Sequence, residues 1–380
     1  MHLFGGLSGN FHVCCHAEYI QPLDGNVGSS QEDINKVWNG DRYKQIRKSF
    51  LSGTYPTVCK TACYDKEKAG SDSNRLQVNK RFKQLAYLQN ETNEDGSVNS
   101  HPKYLDIRFG NLCNFKCRTC GPDSSTSWYR DSEESFTKVI DPYTDNDKLW
   151  KSLPSIIPSL TDVYFAGGEP FIQDGHYKLL DTLIASGYSK NINIQYNTNL
   201  SYTKYKTHDL KTYWNNFRDV KLWPSCDGYG VRAEYNRKGL EWDTFENNCF
   251  VFKDYISSIS SVVSIYSITS MPDLILWCKK NNFHYYGTTL IDPDYLSITC
   301  LPKNSKDMII SLFKKFVYEN SSILNPSDLA QIRSWLLFLK NNDDSHLLKK
   351  FKNEQQRLDL LRNESFESVF KEYASWYKNI

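Results

Sequence analysis

Six short runs, at 104–109, 162–166, 192–196, 220–224, 262–268 and 283–290, are rich in β-branched or aromatic residues. Each is separated from the next by enough chain for a crossover helix, the signature of βα units and a parallel sheet. Nothing else in the chain constrains its fold as strongly. Six such units predict an α/β protein built as an incomplete barrel, a partial (β/α)6 TIM-like arrangement open on one side. An open doubly wound sheet is the alternative.

The flanks differ in texture. Residues 1–88 are short, Gly-broken segments with two cysteine pairs, a helix-like run at 33–47 and a charged helical run at 79–84. The polar stretch 89–97 has too little apolar content to pack and reads as a linker. Beyond 303, Ile309, Ile310, Leu312, Phe313 and Phe316 recur at helical spacing, and 335–339 opens another apolar face. The expected division is a small Cys-rich extension at 1–88, the core at 103–302 and a helical region at 303–380.

Hydrophobic residues at 39% and charged residues at 24% exclude a mainly disordered chain. A net charge of +2 gives no long-range pull toward nucleic acid or an anionic membrane, so neither is an expected partner. No stretch approaches the roughly 18–20 apolar residues of a membrane helix. The start, Met1-His2-Leu3-Phe4-Gly5-Gly6, lacks the basic and apolar regions of a secretory signal, which points to the cytoplasm. In that reducing compartment eleven cysteines are better read as metal ligands than as a disulfide framework.

The sharpest motif is Cys113-Asn114-Phe115-Lys116-Cys117-Arg118-Thr119-Cys120, a C-x3-C-x2-C spacing in the loop after the first predicted strand. Close-set thiolates on a loop are how iron–sulfur clusters are held. Three ligands for a four-iron cluster leave one iron open, as a metal must be if it is to bind a cofactor or substrate. A structural zinc site is the competing reading, with His101 as its fourth ligand. Function in such barrels gathers at the carboxyl ends of strands, and three further strand ends carry polar motifs. They are Gly167-Gly168-Glu169-Pro170, Asn197-Thr198-Asn199 and Ser225-Cys226-Asp227-Gly228. Paired glycines let backbone approach a ligand closely, with Glu169 at hand for an ammonium group. Ser225 and Asp227 share one face of a strand and suit ribose hydroxyls. Of Arg232 and Arg237, either offers a guanidinium fork for a carboxylate.

These motifs together resemble the radical S-adenosylmethionine superfamily. The resemblance implies that Cys113, Cys117 and Cys120 bind a [4Fe–4S] cluster whose open iron chelates the methionine amino and carboxylate groups of S-adenosylmethionine. An electron from the cluster then yields a 5′-deoxyadenosyl radical that abstracts hydrogen from a substrate. It also implies that Phe115, Gly167, Gly168, Glu169, Asn197, Asn199, Ser225, Asp227 and Arg237 contact the cofactor, with Gly-Gly-Glu-Pro at its amino group and Arg237 at its carboxylate.

At the amino terminus, Gly9-Asn10-Phe11-His12-Val13-Cys14-Cys15 and the later pair Cys59 and Cys63 suggest a second metal site, for which zinc competes. The G-x4-C spacing from Gly9 to Cys14 resembles the auxiliary-cluster extension of the SPASM/twitch subgroup, as does the run 225–242. The extension here precedes the barrel rather than following it, and its later pair is C-x3-C. By this resemblance Cys14, Cys15, Cys59 and Cys63 hold an auxiliary iron–sulfur cluster, the substrate is a peptide or small metabolite, and a flavodoxin- or ferredoxin-type reductant is the partner. Cys249, Cys278 and Cys300 read as core packing. A non-catalytic iron–sulfur or zinc-binding scaffold is the alternative function.

Overall fold

The computed structural model describes residues 2–20, 25–68, 73–132, 136 and 138–379. Its strands, in chain order, are β1 (His2–Gly5), β2 (Asn10–His12), β3 (Asn26–Ser29), β4 (Tyr104–Ile107) and β5 (Lys116–Cys117). Then come β6 (Asp162–Phe165), β7 (Asn193–Thr198), β8 (Lys204–Tyr205), β9 (His208–Asp209) and β10 (Asp219–Pro224). The last are β11 (Arg237–Lys238), β12 (Ile259–Val263) and β13 (Tyr285–Thr289). All six β-rich runs therefore form strands. One is displaced: the run at 262–268 begins its strand earlier, at Ile259, and stops at Val263. The cause is local, because Ser267 Oγ donates to the Val262 carbonyl and accepts from Ser264 N, giving the backbone a turn in place of a ladder.

The chain divides into two compact units, each drawn from separated segments. The first comprises Met1–Leu112, Val139–Tyr196 and Lys204–Val220. Its sheet is mixed. β4, β6 and β7 run parallel, in the registers Tyr104↔Asp162 and Asp162↔Asn193. On the other side of β4 lies β1, also parallel, with His2 opposite Tyr104 and Gly5 opposite Ile107. The antiparallel strands β2 and β3 follow. β4 is buried along its whole length, as a strand with neighbours on both edges and cover on both faces must be. The helix Asp174–Ala185 turns Tyr177, Leu179, Leu180 and Leu183 into this unit's core.

The stretch expected to be a linker is instead ordered by polar contacts. Lys44 pairs with Asp95, Arg47 donates to the Gly96 carbonyl, and Asn39 exchanges hydrogen bonds with Val98. Low apolar content left backbone and side-chain hydrogen bonding as the means of holding it.

The second unit comprises Cys113–Lys138, Asn197–Thr203 and Lys221–Ile380. Here parallel bridges join Leu222 to Ile256 and Ser225 to Ser260, and β12 pairs in parallel with β13. The carboxyl-terminal region is helical, through Lys303–Glu319, Pro326–Asn341 and Leu348–Arg362. Helical spacing selects Ile309, Phe313 and Phe316 for burial from the apolar run, and Trp335 and Leu339 from the next. Cys249, Cys278 and Cys300 are buried in this unit. Among the described residues no helix is long and apolar enough to cross a membrane.

Candidate functional site

The cysteine loop belongs to the second unit and is fastened at almost every residue. β5 pairs antiparallel with β11, placing Cys117 opposite Arg237 and Lys116 opposite Lys238. Ser127 Oγ donates to the Cys113 carbonyl at 2.8 Å and Trp128 Nε1 to the Cys117 carbonyl at 2.9 Å. Phe115 is buried, its carbonyl accepts from Ser125 Oγ, and its N–H points at Cys113 Sγ, 3.4 Å away. Arg118 N donates to the Asn236 carbonyl at 2.7 Å.

Charged side chains complete the anchoring. Arg118 is wholly buried, stacks on Tyr235, and donates to Asp359 at 2.7 Å and to Glu364 at 2.5 Å. Lys116 and Arg362 converge on Asp131, at 2.9 and 2.7 Å. Lys238 reaches the other oxygen of Glu364. Buried charges are tolerated only when paired in this way. None of Arg118, Asp131, Asp359, Arg362 and Glu364 was singled out from the sequence. Arg118 stands between two cysteines of a metal-type spacing, which was the one available hint.

The three thiols differ in exposure: Cys117 is buried, Cys113 half-buried and Cys120 exposed. A hydrogen bond between Cys117 and Cys120 raises the first thiol's pKa and lowers the second's, and the Arg237 charge favours the thiolate of both. Arg237 Nη1 points at Cys117 Sγ from 3.8 Å, and its Nε lies 2.8 Å from Asp227 Oδ2. Asp227 is fully buried, its other oxygen accepting from Val262 N at 2.6 Å. The carboxylate expected at a ribose thus holds a guanidinium and a strand end, and the guanidinium expected at a cofactor carboxylate holds Asp227 and addresses a sulfur.

Asn199 donates to Asn114 Oδ1 at 2.9 Å and accepts from Ser201. Phe115, Asn199 and Asn114 border one cavity of 230 Å³, with Gly239 and Phe245. Asn197 and Ser225 are half-buried. Among the described residues neither side chain has a protein hydrogen-bond partner.

In the first unit, Gly167 and Gly168 both have positive φ, +77° and +50°. A Cβ on Gly168 would lie 2.4 Å from the Leu112 carbonyl oxygen and 2.8 Å from that of Gly110. The glycine pair is therefore required by the protein's own backbone. The Gly167 carbonyl accepts from Gln173 Nε2 at 3.0 Å. Glu169 is buried and caps the turn Pro170–Ile172 by accepting from Phe171 N at 3.1 Å.

The amino-terminal thiols also lie in this unit. Cys59 ends the turn Thr57–Cys59, and Cys63 follows in a single π-helical turn, Lys60–Tyr64, an unusual geometry that recurs at functional sites. Cys59 packs with Val58 and Ala17, and Val13 and Cys14 cover that cluster. Cys14, Cys59 and Cys63 border one cavity of 230 Å³. Burial pushes Cys14 up to about 12 and Cys59 up to about 11, with the neighbouring thiols adding to both. Cys15 is also pushed to about 12 by burial, but the charges acting on it are Asp106 and Arg108, then Cys14. Three of the four expected thiols thus line one cavity, and Cys15 is not among its lining residues. Among the described residues no three His, Cys, Asp or Glu side chains are grouped as a single metal ion would group them.

Residues 4–64 match the family model of the SPASM iron–sulfur cluster-binding domain. That match covers Cys14, Cys15, Cys59 and Cys63. Over residues 4–64 the chain is similar to that iron–sulfur cluster-binding domain. Two crystal structures of Streptococcus suis SuiB, one bound to S-adenosylmethionine and one to the precursor peptide SuiA, are similar to the chain at 14% identity, with TM-scores of 0.36 and 0.37. Each alignment covers 78% of this chain, which spans 64% of the length of SuiB. No curated protein matches the sequence. Gly9 has φ +77°, and a Cβ there would lie 2.9 Å from Pro142 Cβ.

Proposed function

We propose that the chain is a radical S-adenosylmethionine enzyme acting on a peptide, with a [4Fe–4S] cluster on Cys113, Cys117 and Cys120 and an auxiliary iron–sulfur cluster at Cys14, Cys59 and Cys63. One observation carries the reading: three thiols on a single fastened loop, two of whose sulfurs face donors, Phe115 N and Arg237 Nη1. Hydrogen bonds to sulfur and a nearby cation favour thiolate, the form that ligates iron. Those two contacts support a cluster on this loop. The SPASM match over residues 4–64 supports the second site, and a peptide is taken from the two substrate classes, peptide or small metabolite, that the sequence resemblance implies.

When bound, the cluster would supply the electron that splits S-adenosylmethionine into methionine and the radical that takes hydrogen from the substrate. The chain's own residues hold and shield. Phe115 and Trp128 are themselves buried, and Trp128 holds the Cys117 carbonyl. The unpartnered Asn197 amide and Ser225 hydroxyl are the groups assigned to the cofactor's polar atoms in the second unit, together with Asn199. In the first unit the Glu169 carboxylate is positioned by Phe171 N. Cys15 is left out of the proposed auxiliary set because, unlike Cys14, Cys59 and Cys63, it does not line the cavity those three share.

Anaerobic reconstitution with iron and sulfide, then dithionite and S-adenosylmethionine, tests this directly. Release of 5′-deoxyadenosine by the intact protein and not by Cys113→Ala is the expected result. An iron-loaded protein that releases none overturns the enzyme reading.

A further inference from the structure

We propose that Arg237, oriented by the buried Asp227, sets the reduction potential of the cluster on the Cys113–Cys117–Cys120 loop through its hydrogen bond to Cys117. The inference rests on the reading above, that those three thiols hold a cluster. It goes beyond that reading by giving Arg237 a role at the sulfur, where the sequence placed it at a cofactor carboxylate.

The geometry has three parts. The β5–β11 ladder puts Arg237 directly opposite Cys117, so the side chain needs no flexible reach to meet the sulfur. Nη1 stands 3.8 Å from Cys117 Sγ while Nε stands 2.8 Å from Asp227 Oδ2. Asp227 is itself fixed, fully buried and bonded to Val262 N. A guanidinium can serve a carboxylate and a sulfur at once, because its donors diverge from one rigid plane; an ammonium is a point charge without that fork.

The consequence is electrostatic. Reduction adds one negative charge to a cluster already surrounded by thiolates. A cation one hydrogen bond from a ligand sulfur stabilises the reduced form more than the oxidised form, so it raises the potential. Asp227 is the positioning residue. It holds the fork in place and, by its own charge, damps part of the cation's effect. The two residues therefore act on the potential with opposite signs. A purely structural pair would not do so, since losing either would disturb the loop in the same way.

The test is an EPR-monitored potentiometric titration of the reconstituted full-length protein with dithionite. Dithionite is oxidised to sulfite and each cluster takes one electron, with no bond made or broken in the protein. A chain with Cys113, Cys117 and Cys120 all changed to Ala supplies the background from the amino-terminal site. Arg237→Gln is expected to move the midpoint to more negative potential, with about a tenfold fall in the reduced-to-oxidised ratio at fixed potential, equivalent to about 59 mV. Asp227→Asn, whose amide oxygen still accepts from Arg237 Nε while the carboxylate charge is gone, is expected to move it to more positive potential, and Arg237→Lys to fall between wild type and Arg237→Gln. A midpoint unchanged in Arg237→Gln, or shifts of the same sign in Arg237→Gln and Asp227→Asn, overturns the proposal. If Arg237→Gln takes up no iron, the sign of the Asp227→Asn shift decides: positive supports, zero or negative overturns. A wild-type signal no larger than the triple-alanine background overturns this inference and the cluster reading together. A normal wild-type signal with unmoved variants overturns this inference alone.

Discussion

The Arg118 guanidinium, with none of its side chain exposed, donates to Asp359 at 2.7 Å and so ties the residue after Cys117 to the helix Leu348–Arg362. The carboxyl-terminal helices are thereby part of the cysteine loop's support. A change far along the chain reaches the loop through a charge pair.

Replacing Arg118 by Met leaves Asp359 and Glu364 without their buried cation. Breaking a buried pair from one side costs about 3–5 kcal/mol. Urea unfolding of the metal-free protein is expected to show an unfolding free energy lower by that amount, read as a lower midpoint at unchanged slope. A midpoint that does not move would mean the pair contributes nothing.

Gly168→Ala is expected to destabilise more than Gly187→Ala. Both glycines have positive φ, so each variant incurs the left-handed penalty of about 1–2 kcal/mol. Only at Gly168 does the new Cβ also meet backbone oxygens, whereas at Gly187 nothing lies within 4 Å. Equal losses in thermal or chemical unfolding would show that the close approach of Gly110 and Leu112 is not a constraint.

Acid should weaken the first unit through two histidines. Burial pushes His12 down to about 4 and His176 down to about 3, from an ordinary value of 6.5. Between 6.5 and these values the unfolded chain binds protons that the folded chain refuses, so stability is fully present above pH 6.5 and is lost as pH falls. Each histidine contributes a slope of up to about 1.4 kcal/mol per pH unit within its window. His176→Gln is expected to flatten the dependence of unfolding free energy on pH below 6.5, and an unaltered slope would remove His176 from the account.

Cys15 does not line the cavity that Cys14, Cys59 and Cys63 share. After reconstitution, Cys15→Ser is expected to retain the wild-type iron content, while Cys14→Ser, Cys59→Ser and Cys63→Ser each lose the second site's share. Iron analysis with the Cys113 loop intact reads this directly, and a loss in Cys15→Ser equal to the others would restore it to the ligand set.

The strands were legible because β-branched runs separated by crossover lengths admit few other readings. Tyr104–Ile107, Asp162–Phe165 and Asp219–Pro224 fall within a residue or two of where the pattern put them. The displaced β12 was not legible, since serine hydroxyls that outcompete a ladder look like ordinary polar strand residues. The cysteine positions were readable from spacing. Their anchors were not: Arg118 finds its carboxylates 241 and 246 residues away, and no local pattern announces a partner so distant. Arg237 was picked out from resemblance, but its actual neighbours, Asp227 and Cys117, follow from a two-residue ladder too short to leave a periodic trace.

The pairing of β1 with β4 has a bearing on how the chain is handled. Because His2–Gly5 fills the flank of Tyr104–Ile107, the cysteine-bearing front of the protein is woven into the sheet and is not a detachable module. Excising it would bare a row of backbone donors and acceptors on a strand whose side chains are all apolar or buried, an invitation to self-association. Point changes, and not truncations, are the means by which the two cysteine groups of this molecule should be dissected.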